Sequence, residues 1–398
     1  MPRVLRIMNR MIIGGPILNS LLLTKYMAPE FETLFVVGEK DDHEQDAGFL
    51  AEELGIIPTI VPGMGRSLNV VKDYKAYHNL KRIIRDFKPD IVHTHAAKPG
   101  AVGRMAAKAM NVPVVLHTYH GHVFHSYFNK LKTASFIQIE RYLAGISDGI
   151  IAISEQQKKE LALDFRIAPS QKFHVIPLGF NLDKFQKSQQ QKRAQFRQEF
   201  NVKDDEIAIG IIGRMVPVKN HALFLEGIQH VLKNSNKKIK AFIVGDGETR
   251  QAMEEKAKEL EIKFTGQKEK EHVSPLVFTS WRSDVDVIYA GLDIVALTSL
   301  NEGTPVSLIE AQAANKPVVS TKVGGIGDIV VEGETALLSA VDDKLGFCEN
   351  ILRLVEDDEL RSNLGENGAG LVLQKFSYQR LVNDMSRLYN ELLFKKKR

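Results

Sequence analysis

Glu302 and Glu310 stand with seven residues between them in the stretch Ser299 to Gly325. An ionised carboxylate only accepts hydrogen bonds, and its two oxygens can take the paired hydroxyls of a ribose diol or a sugar ring. Between the acids, Gly303, Thr304 and Pro305 read as a tight loop that opens a short helix. Thr304 is the expected N-cap, and Pro305 fits the first helical position, where a missing N–H costs nothing. The free backbone N–H groups of Gly303, Thr304 and Val306 would then surround a positive dipole end, a seat for phosphate. Glu310 falls in the second turn, about 8 Å up the helix. Taken alone, the two acids could equally be solvated side chains at a helix start, where acids are favoured anyway.

Cations of the right kind lie upstream. Gly213-Arg214 and Lys219 follow the apolar run Ile207 to Ile212, so both would sit at the carboxyl end of a strand. Two cations there can neutralise charge that builds on a diphosphate leaving group. Histidines cluster in His93-Thr94-His95 and in His117-Thr118-Tyr119-His120-Gly121-His122. A zinc site is not supported, because there is no H-E-x-x-H helix and no cysteine partner. His120 is the choice for a ligand-facing ring, with His95 and His122 behind it, and His117 reads as core. Such a ring could bond a hydroxyl or phosphate, or act as a base. Gly14-Gly15 makes a strand-to-helix turn that lets backbone approach a ligand, without the G-x-G-x-x-G spacing of a dinucleotide site. Gly324-Gly325 could do the same, and Gly245-Asp246-Gly247 reads as a structural turn. Lys72, Lys75, Lys81, Arg82, Arg85 and Lys88 give one helix a basic face, solvated by default, with anionic lipid headgroups as the alternative.

The elements that must position these groups alternate between strand and helix. Val4–Met8, Thr33–Val37, Thr59–Val61, Ile91–Thr94, Val114–His117, Gly149–Ile153 and Phe173–Ile176 read as strands, with helices between them such as Asn69–Phe87. The pattern restarts at Ile207–Ile212 and continues with Ala241–Val244, Ile294–Leu297 and Val318–Ser320. It predicts an α/β chain of two Rossmann-like, doubly wound parallel sheets. Residues 1–180 form the first domain and 205–377 the second, with ligand expected in a central cleft at the carboxyl ends of the strands. The polar stretch 181–204 reads as a linker, and the charged middle of Phe264 to Phe278 as a loop. A final helix within 378–398 ends in a basic tail.

Composition narrows the class. The chain has 398 residues, a net charge of +4 and one cysteine, Cys348. That charge is too small to argue for nucleic acid. A lone cysteine allows no internal disulfide and fits a reducing cytoplasm. No run approaches the ~20 apolar residues of a membrane span, and the strand pattern at Met1–Ile7 gives no sign of a cleaved leader.

Together these motifs resemble the retaining nucleotide-sugar glycosyltransferases of family 4, the group 1 set with the GT-B fold. The resemblance rests on Gly14-Gly15, His93-Thr94-His95, the HTYHG run at 117–121, Pro177-Leu178-Gly179-Phe180, Gly213-Arg214 with Lys219, Gly245-Asp246-Gly247, Glu302-x7-Glu310 and Gly324-Gly325. It implies that Glu302 bonds donor-sugar hydroxyls, Glu310 bonds the ribose, and Arg214 and Lys219 hold the diphosphate. It also implies that Gly213, Gly303, Thr304 and Pro305 line the donor, that His120 meets the donor sugar or its phosphate, and that Gly14 and Gly15 lie against the phosphates or the acceptor. No metal or other cofactor is implied for the diphosphate. In the family the last helix commonly crosses back to the first domain. The HTYHG run resembles subgroups that build bacterial polysaccharides and lipid-linked glycans. Two departures stand out: Asn315 and Ser280 occupy positions where glycine is usual.

The expected activity is transfer of a hexosyl or N-acetylhexosaminyl unit from a nucleotide-diphosphate sugar, UDP-linked by resemblance, to a hydroxyl acceptor. The acceptor could be lipid-linked at the inner membrane surface, which would make a cytoplasmic protein peripheral to the membrane. A UDP-sugar 2-epimerase and a non-catalytic nucleotide-sugar sensor are the other readings.

Overall fold

The computed structural model describes residues 1–12, 14–40, 46–65, 69–121, 130–266 and 274–397. His122 lies outside the described residues. The chain divides into two compact units, one of Met1–Phe180 with Phe376–Arg398 and one of Asn181–Lys375.

The first unit is built on seven strands: β1 (Arg3–Ile7), β2 (Glu32–Gly38), β3 (Thr59–Val61), β4 (Ile91–His95), β5 (Val114–Tyr119), β6 (Gly149–Ala152) and β7 (Phe173–Val175). They pair in parallel in the order β3-β2-β1-β4-β5-β6-β7. Every residue of β4 and β5 is buried, the signature of parallel strands covered on both faces. Helix Val70–Phe87 starts where the Asn69 side chain accepts from Lys72 N at 3.0 Å. It ends at left-handed Lys88, and packs Ala76, Leu80 and Ile84 inward. Arg104, wholly buried, pairs with Glu140 at 2.8 Å, and the Tyr119 hydroxyl donates to the same carboxylate oxygen at 2.5 Å. That pairing leaves neither buried charge uncompensated.

The last helix, Tyr378–Lys397, belongs to this unit. Its Leu381, Met385, Leu388, Tyr389 and Leu392 recur at helical spacing and join Val4, Leu23, Ile91, Val114 and Leu116 in one core cluster. Backbone bonds Phe180 N to Phe376 O (2.8 Å) and Tyr378 N to Phe180 O (3.0 Å) fix where it enters. Arg380 then donates to the carbonyls of Pro177 and Leu178, both at 2.7 Å. Deep in the unit the Tyr389 hydroxyl lies 2.6 Å from His93 Nδ1 and accepts from Arg6 Nη2 at 3.2 Å.

The second unit has β8 (Glu206–Ile212), β9 (Lys238–Val244), β10 (Phe264–Thr265), β11 (Leu276–Ser280), β12 (Ile294–Leu297), β13 (Val318–Thr321) and β14 (Ala336–Ser339). All described pairs are parallel, in the order β10-β11-β9-β8-β12-β13-β14.

One expectation is corrected here. The stretch 181–204 is not a free linker: it forms helices Asp183–Gln186 and Gln189–Glu199, part of the second unit. Phe185 and Phe196 anchor it, and Phe196 fills the space over Gly291, where an added Cβ would come within 2.1 Å of the ring. Arg197 secures the far end by donating to Asp293 Oδ2 at 3.3 Å. Three aromatic anchors, Phe185, Phe196 and Phe200, spread among glutamines and lysines are too sparse to show as periodicity. The segment Phe264 to Phe278 has β10 at one end and runs into β11 at the other, and the loop expected of its charged middle, residues 267–273, lies outside the described residues. β11 is fully buried beside β9.

β11 ends at Ser280 in a left-handed conformation, φ 58°, which a non-glycine residue adopts at a cost of about 1–2 kcal/mol. The side chain offsets this strain. Ser280 Oγ donates to Asp246 Oδ2 at 2.6 Å and accepts from Arg250 Nη1 at 2.7 Å. This explains why serine can stand at a glycine position.

Two stability measurements follow from these contacts. Tyr389→Phe removes the hydroxyl shared by Arg6 and His93 and should lower the unfolding free energy by about 1–3 kcal/mol; an unchanged denaturation midpoint would refute the role given to that hydroxyl. At Ser280 both Ala and Gly lose the bonds to Asp246 and Arg250, but only Gly also loses the strain. Ser280→Gly should therefore be about 1 kcal/mol more stable than Ser280→Ala, and equal stability in parallel melts would count against strain at this position.

Candidate active site

In each sheet the strand order reverses at one place, and the loops leaving the strands there are natural ligand sites. In the second unit the reversal lies between β8 and β12. Strand β8 delivers the loop carrying Gly213, Arg214 and Lys219, and β12 delivers the loop carrying Ser299, Glu302 and Gly303. The loops are stitched together. Leu300 N donates to Val218 O at 2.8 Å, and Thr298 Oγ1 donates to Lys219 O at 2.8 Å. A 3-10 turn at Pro217–Lys219, closed by left-handed Asn220, aims the lysine.

The stitching brings Lys219 Nζ to 2.5 Å from Glu302 Oε1, and Ser299 Oγ donates to that same oxygen at 2.6 Å. Both partners are largely buried, which makes this a charge-assisted bond of the stronger kind. Glu302 is thus held by two donors through one oxygen. Arg214 is exposed and enters no hydrogen bond or ion pair among the described residues. Lys219, Arg214 and Glu302 together leave a net positive charge at the reversal point.

Glycines shape this loop pair. A Cβ on Gly324 or Gly325 would come within 1.9 Å of Glu302 O or 1.8 Å of Gly303 O. Gly325 N donates to Glu302 O at 3.1 Å. The Gly324-Gly325 pair therefore lets backbone approach the Glu302 loop. Gly245 and Gly247 likewise make room for Gly213 O and Met215 O. Gly303 differs: it is exposed and an added Cβ there would meet nothing within 4 Å. The fold itself does not demand glycine at 303.

The helix that follows is Val306–Ala313, with Pro305 in extended conformation as its cap and no side-chain cap bond. This corrects the expectation of Thr304 as N-cap and Pro305 as first helical residue: the loop runs one residue further before the helix begins. Asn315 ends the helix in the left-handed conformation, φ 58°, with Lys316 N donating to Ala311 O at 3.0 Å.

Glu310 has a different neighbourhood from Glu302. It is half-buried on that helix, and burial pushes its carboxyl up to about 7, against the lowering influence of Lys184 and of the Tyr289 hydroxyl. Glu310 in turn helps hold the buried Tyr289 phenol well above its usual range. Near neutral pH this acid is divided between its neutral and ionised forms. The structure therefore joins Lys219 to Glu302 directly, leaves Arg214 unengaged, and sets Glu310 among other residues about 8 Å along the helix from its cap.

In the first unit the reversal lies between β1 and β4. β1 leads to Gly14 and to helix Gly15–Tyr26, and β4 ends in His95. A Cβ on Gly14 would meet only Pro16, at 3.7 Å, so internal packing does not require glycine there either. His95 Nδ1 lies 2.9 Å from His120 Nε2, and the two rings stack. Beneath them His93 contacts the His95 ring and bonds Tyr389 and, at 2.7 Å, Thr118. One order of donors satisfies this chain: Arg6 to Tyr389, Tyr389 to His93, His93 to Thr118. His117 bonds Thr94 at 2.8 Å and is core, as its place inside a strand implies.

Burial lowers all four imidazoles, His120 to about 4. At neutral pH His120 is therefore an uncharged ring. Its depressed value gives stability that is present above about 6.5 and lost as pH falls through 4. His120 Nδ1 and His95 Nε2 are buried with no hydrogen-bond partner, the atoms a bound hydroxyl would satisfy. No group of three or more His, Cys, Asp or Glu among the described residues has the arrangement of a metal site. Sequence reasoning missed Ser299, Tyr289, Arg6 and Tyr389. Ser299, three residues before Glu302, could have been found from spacing; the tyrosines carry no local signal.

Comparison with known proteins gives the family. Residues 192–370 match the model of glycosyl transferases group 1, and residues 23–184 that of glycosyltransferase family 4. The chain is 27% identical over 338 residues to the UDP-Gal:alpha-D-GlcNAc-diphosphoundecaprenol alpha-1,3-galactosyltransferase of Escherichia coli, covering 84% of each. It is 26% identical over 341 residues to the capsular polysaccharide biosynthesis glycosyltransferase CapM of Staphylococcus aureus, covering 85% of this chain and 86% of CapM. Among solved structures, HepE of Anabaena in complex with UDP superposes with a TM-score of 0.81 at 17% identity, covering 98% of this chain and all of that one. A Rickettsia africae glycosyltransferase superposes at 0.82 with 18% identity, covering 98% and 99%. The epimerase and sensor readings find no support here. With a GT-B fold of two parallel seven-stranded units and both family models matched in turn along its length, the chain belongs to the group 1, family 4 glycosyltransferases and is an enzyme of that kind.

Proposed function

We propose that this enzyme moves a hexosyl or N-acetylhexosaminyl unit from a UDP-sugar to a hydroxyl of a bacterial glycan intermediate carried on a lipid diphosphate, with retention at the anomeric carbon. The observation that carries the donor half is the Lys219–Glu302 pair at 2.5 Å beside an unengaged Arg214, at the point where the strand order reverses. An ammonium has three donors, so Lys219 can keep Glu302 and still reach a phosphate oxygen. Arg214 supplies the second, bidentate cation. Gly303, with room where a side chain would stand, lets the diphosphate come against backbone, and Thr304 and Pro305 lead it to the helix start. We assign no metal, because these cations and the dipole end meet the same charge.

In this reading the bond between the sugar C1 and its phosphate oxygen breaks, and the acceptor oxygen bonds C1 on the same face. The acceptor proton passes to the departing phosphate. Glu302 accepts from sugar hydroxyls, and Glu310 accepts from the ribose. His120, being neutral, serves as a hydrogen-bonding group toward the donor sugar or its phosphate. Gly14 and Gly15 leave space for phosphate or acceptor. The preference for UDP and for a lipid-held acceptor draws on the Escherichia coli relative, whose name states both, and on HepE, solved with UDP. The enzyme would work in the cytoplasm against the membrane surface.

The direct test supplies UDP-galactose, UDP-glucose and UDP-N-acetylglucosamine in turn, with a lipid-diphosphate-linked sugar as acceptor. Mass spectrometry should show one added sugar and NMR an unchanged anomeric configuration; UDP release without any transfer, or inversion, would contradict the reading. Two variants locate the roles. Arg214→Ala should slow transfer roughly 10- to 150-fold, the equivalent of about 1.5–3 kcal/mol for a charge-assisted bond. Glu310 gives a pH dependence with a defined sign. Its ionised form accepts from the ribose, so donor KM should rise as pH falls through about 7, and Glu310→Gln should flatten that profile. The same raised value stabilises the fold in the opposite direction, more at low pH and less above 7.

A further inference from the structure

The outer face of helix Val70–Phe87 is apolar at its start and basic beyond it. At about 100° per residue, Val71, Tyr74, Lys75, His78, Arg82 and Arg85 fall within an arc of roughly 100°. All six are exposed. Val71 is 78% and Tyr74 66% exposed, and the neighbouring Val70 is 87% exposed. No carboxylate lies inside the arc. Asp86 stands at its edge, 3.1 Å from Arg85, and Asp73 lies on the inner side, paired to Lys98 at 2.5 Å. Lys72 and Lys81 flank the arc. The opposite side is already spent on the core through Ala76, Leu80 and Ile84.

The edge strand of the sheet lies beside this helix. The chain leaving edge strand β3 packs against the helix: Asn79 Nδ2 donates to Pro62 O at 3.1 Å, and a Cβ on Gly63 would come within 2.6 Å of Lys72 O. Within β3 itself Ile60 is 62% exposed, and just before the strand Ile57 is 92% exposed. Apolar and aromatic side chains at one end with a carboxylate-free row of cations behind them form the pattern of an interfacial helix. A partner that is apolar beneath and anionic on top, over an area wider than one helix, is a lipid bilayer with acidic headgroups. Among the described residues no helix is long and apolar enough to cross a membrane, so contact of this kind is by a face.

We propose that the outward face of helix Val70–Phe87 docks on an anionic lipid bilayer, with Val71 and Tyr74 entering the headgroup layer and Lys75, Arg82 and Arg85 neutralising lipid phosphates. The inference deepens the reading of a lipid-held acceptor, since it holds the first unit where such an acceptor is anchored.

Co-sedimentation with vesicles of phosphatidylcholine, with and without phosphatidylglycerol, tests it. The full chain should bind only the vesicles that contain phosphatidylglycerol. Lys75→Gln/Arg82→Gln/Arg85→Gln should weaken that binding on the order of a hundredfold, at about tenfold or less per charge near the surface. Val71→Ser/Tyr74→Ser should leave residual binding that added salt abolishes. Tyr74→Trp should shift its emission to the blue on acidic vesicles. Absence of vesicle binding by the unaltered chain, equal binding to neutral vesicles, or variants that bind as it does would each overturn the proposal. UDP binding measured by calorimetry keeps the two readings apart. A chain that binds UDP but no vesicle loses the docking face alone, and one that binds vesicles but no UDP loses the donor assignment alone.

Discussion

The donor side proposed for this enzyme rests on one ion pair, Lys219 with Glu302. A buried carboxylate without a partner would be costly, and so would a buried ammonium; each makes the other tolerable where the strand order reverses. The pair also fixes two loops against each other, because Thr298 and Leu300 bond to the backbone on either side of it. The glycines at 324 and 325 are required for the same reason: side chains there would force the Glu302 backbone away. With the loops locked, Arg214 is left in solvent with nothing to hold, and Gly303 is left with space that the chain does not fill. Rigid support around unsatisfied charge is what a preorganised anion site needs.

The first unit solves a different problem, that of holding imidazoles in a dry core. Arg6, Tyr389, His93 and Thr118 satisfy one another in sequence, and the C-terminal helix supplies the tyrosine. His95 and His120 sit above that chain with one nitrogen each still unpartnered. The last helix is thus part of the site's foundation, although it is remote in sequence from every motif. Its removal would expose the core cluster and free His93 at once.

Much of this was legible in the sequence, and the reasons are physical. Strands covered on both faces are nearly continuous apolar runs, so β8 and β12 announce themselves. Glycine and proline mark the tight loops, and the spacing of Glu302 and Glu310 with Arg214 and Lys219 has few purely structural explanations. Other features left no local trace. Residues 181–204 read as a linker because their buried residues, Leu182, Phe185, Phe196, Phe200 and Val202, are scattered through polar surroundings without a clear period. β11 was missed because a short strand behind Pro275 resembles a loop end. Thr304 looked like a cap because its residue type favours that place, but the loop continues through Pro305. Ser280 is an instructive case: the chain keeps a glycine conformation without glycine by giving the serine hydroxyl two charged partners.

Arg214, Lys219, Glu302 and Glu310 are proposed to serve one nucleotide diphosphate. A crystal structure of the enzyme soaked with UDP measures this most directly. The claim requires both phosphates within hydrogen-bond distance of Arg214 and Lys219, with the ribose hydroxyls on Glu310 and Glu302 left facing the place of the sugar. Diphosphate density elsewhere on the second unit, with Arg214 still in solvent and Glu310 still unengaged, would contradict it.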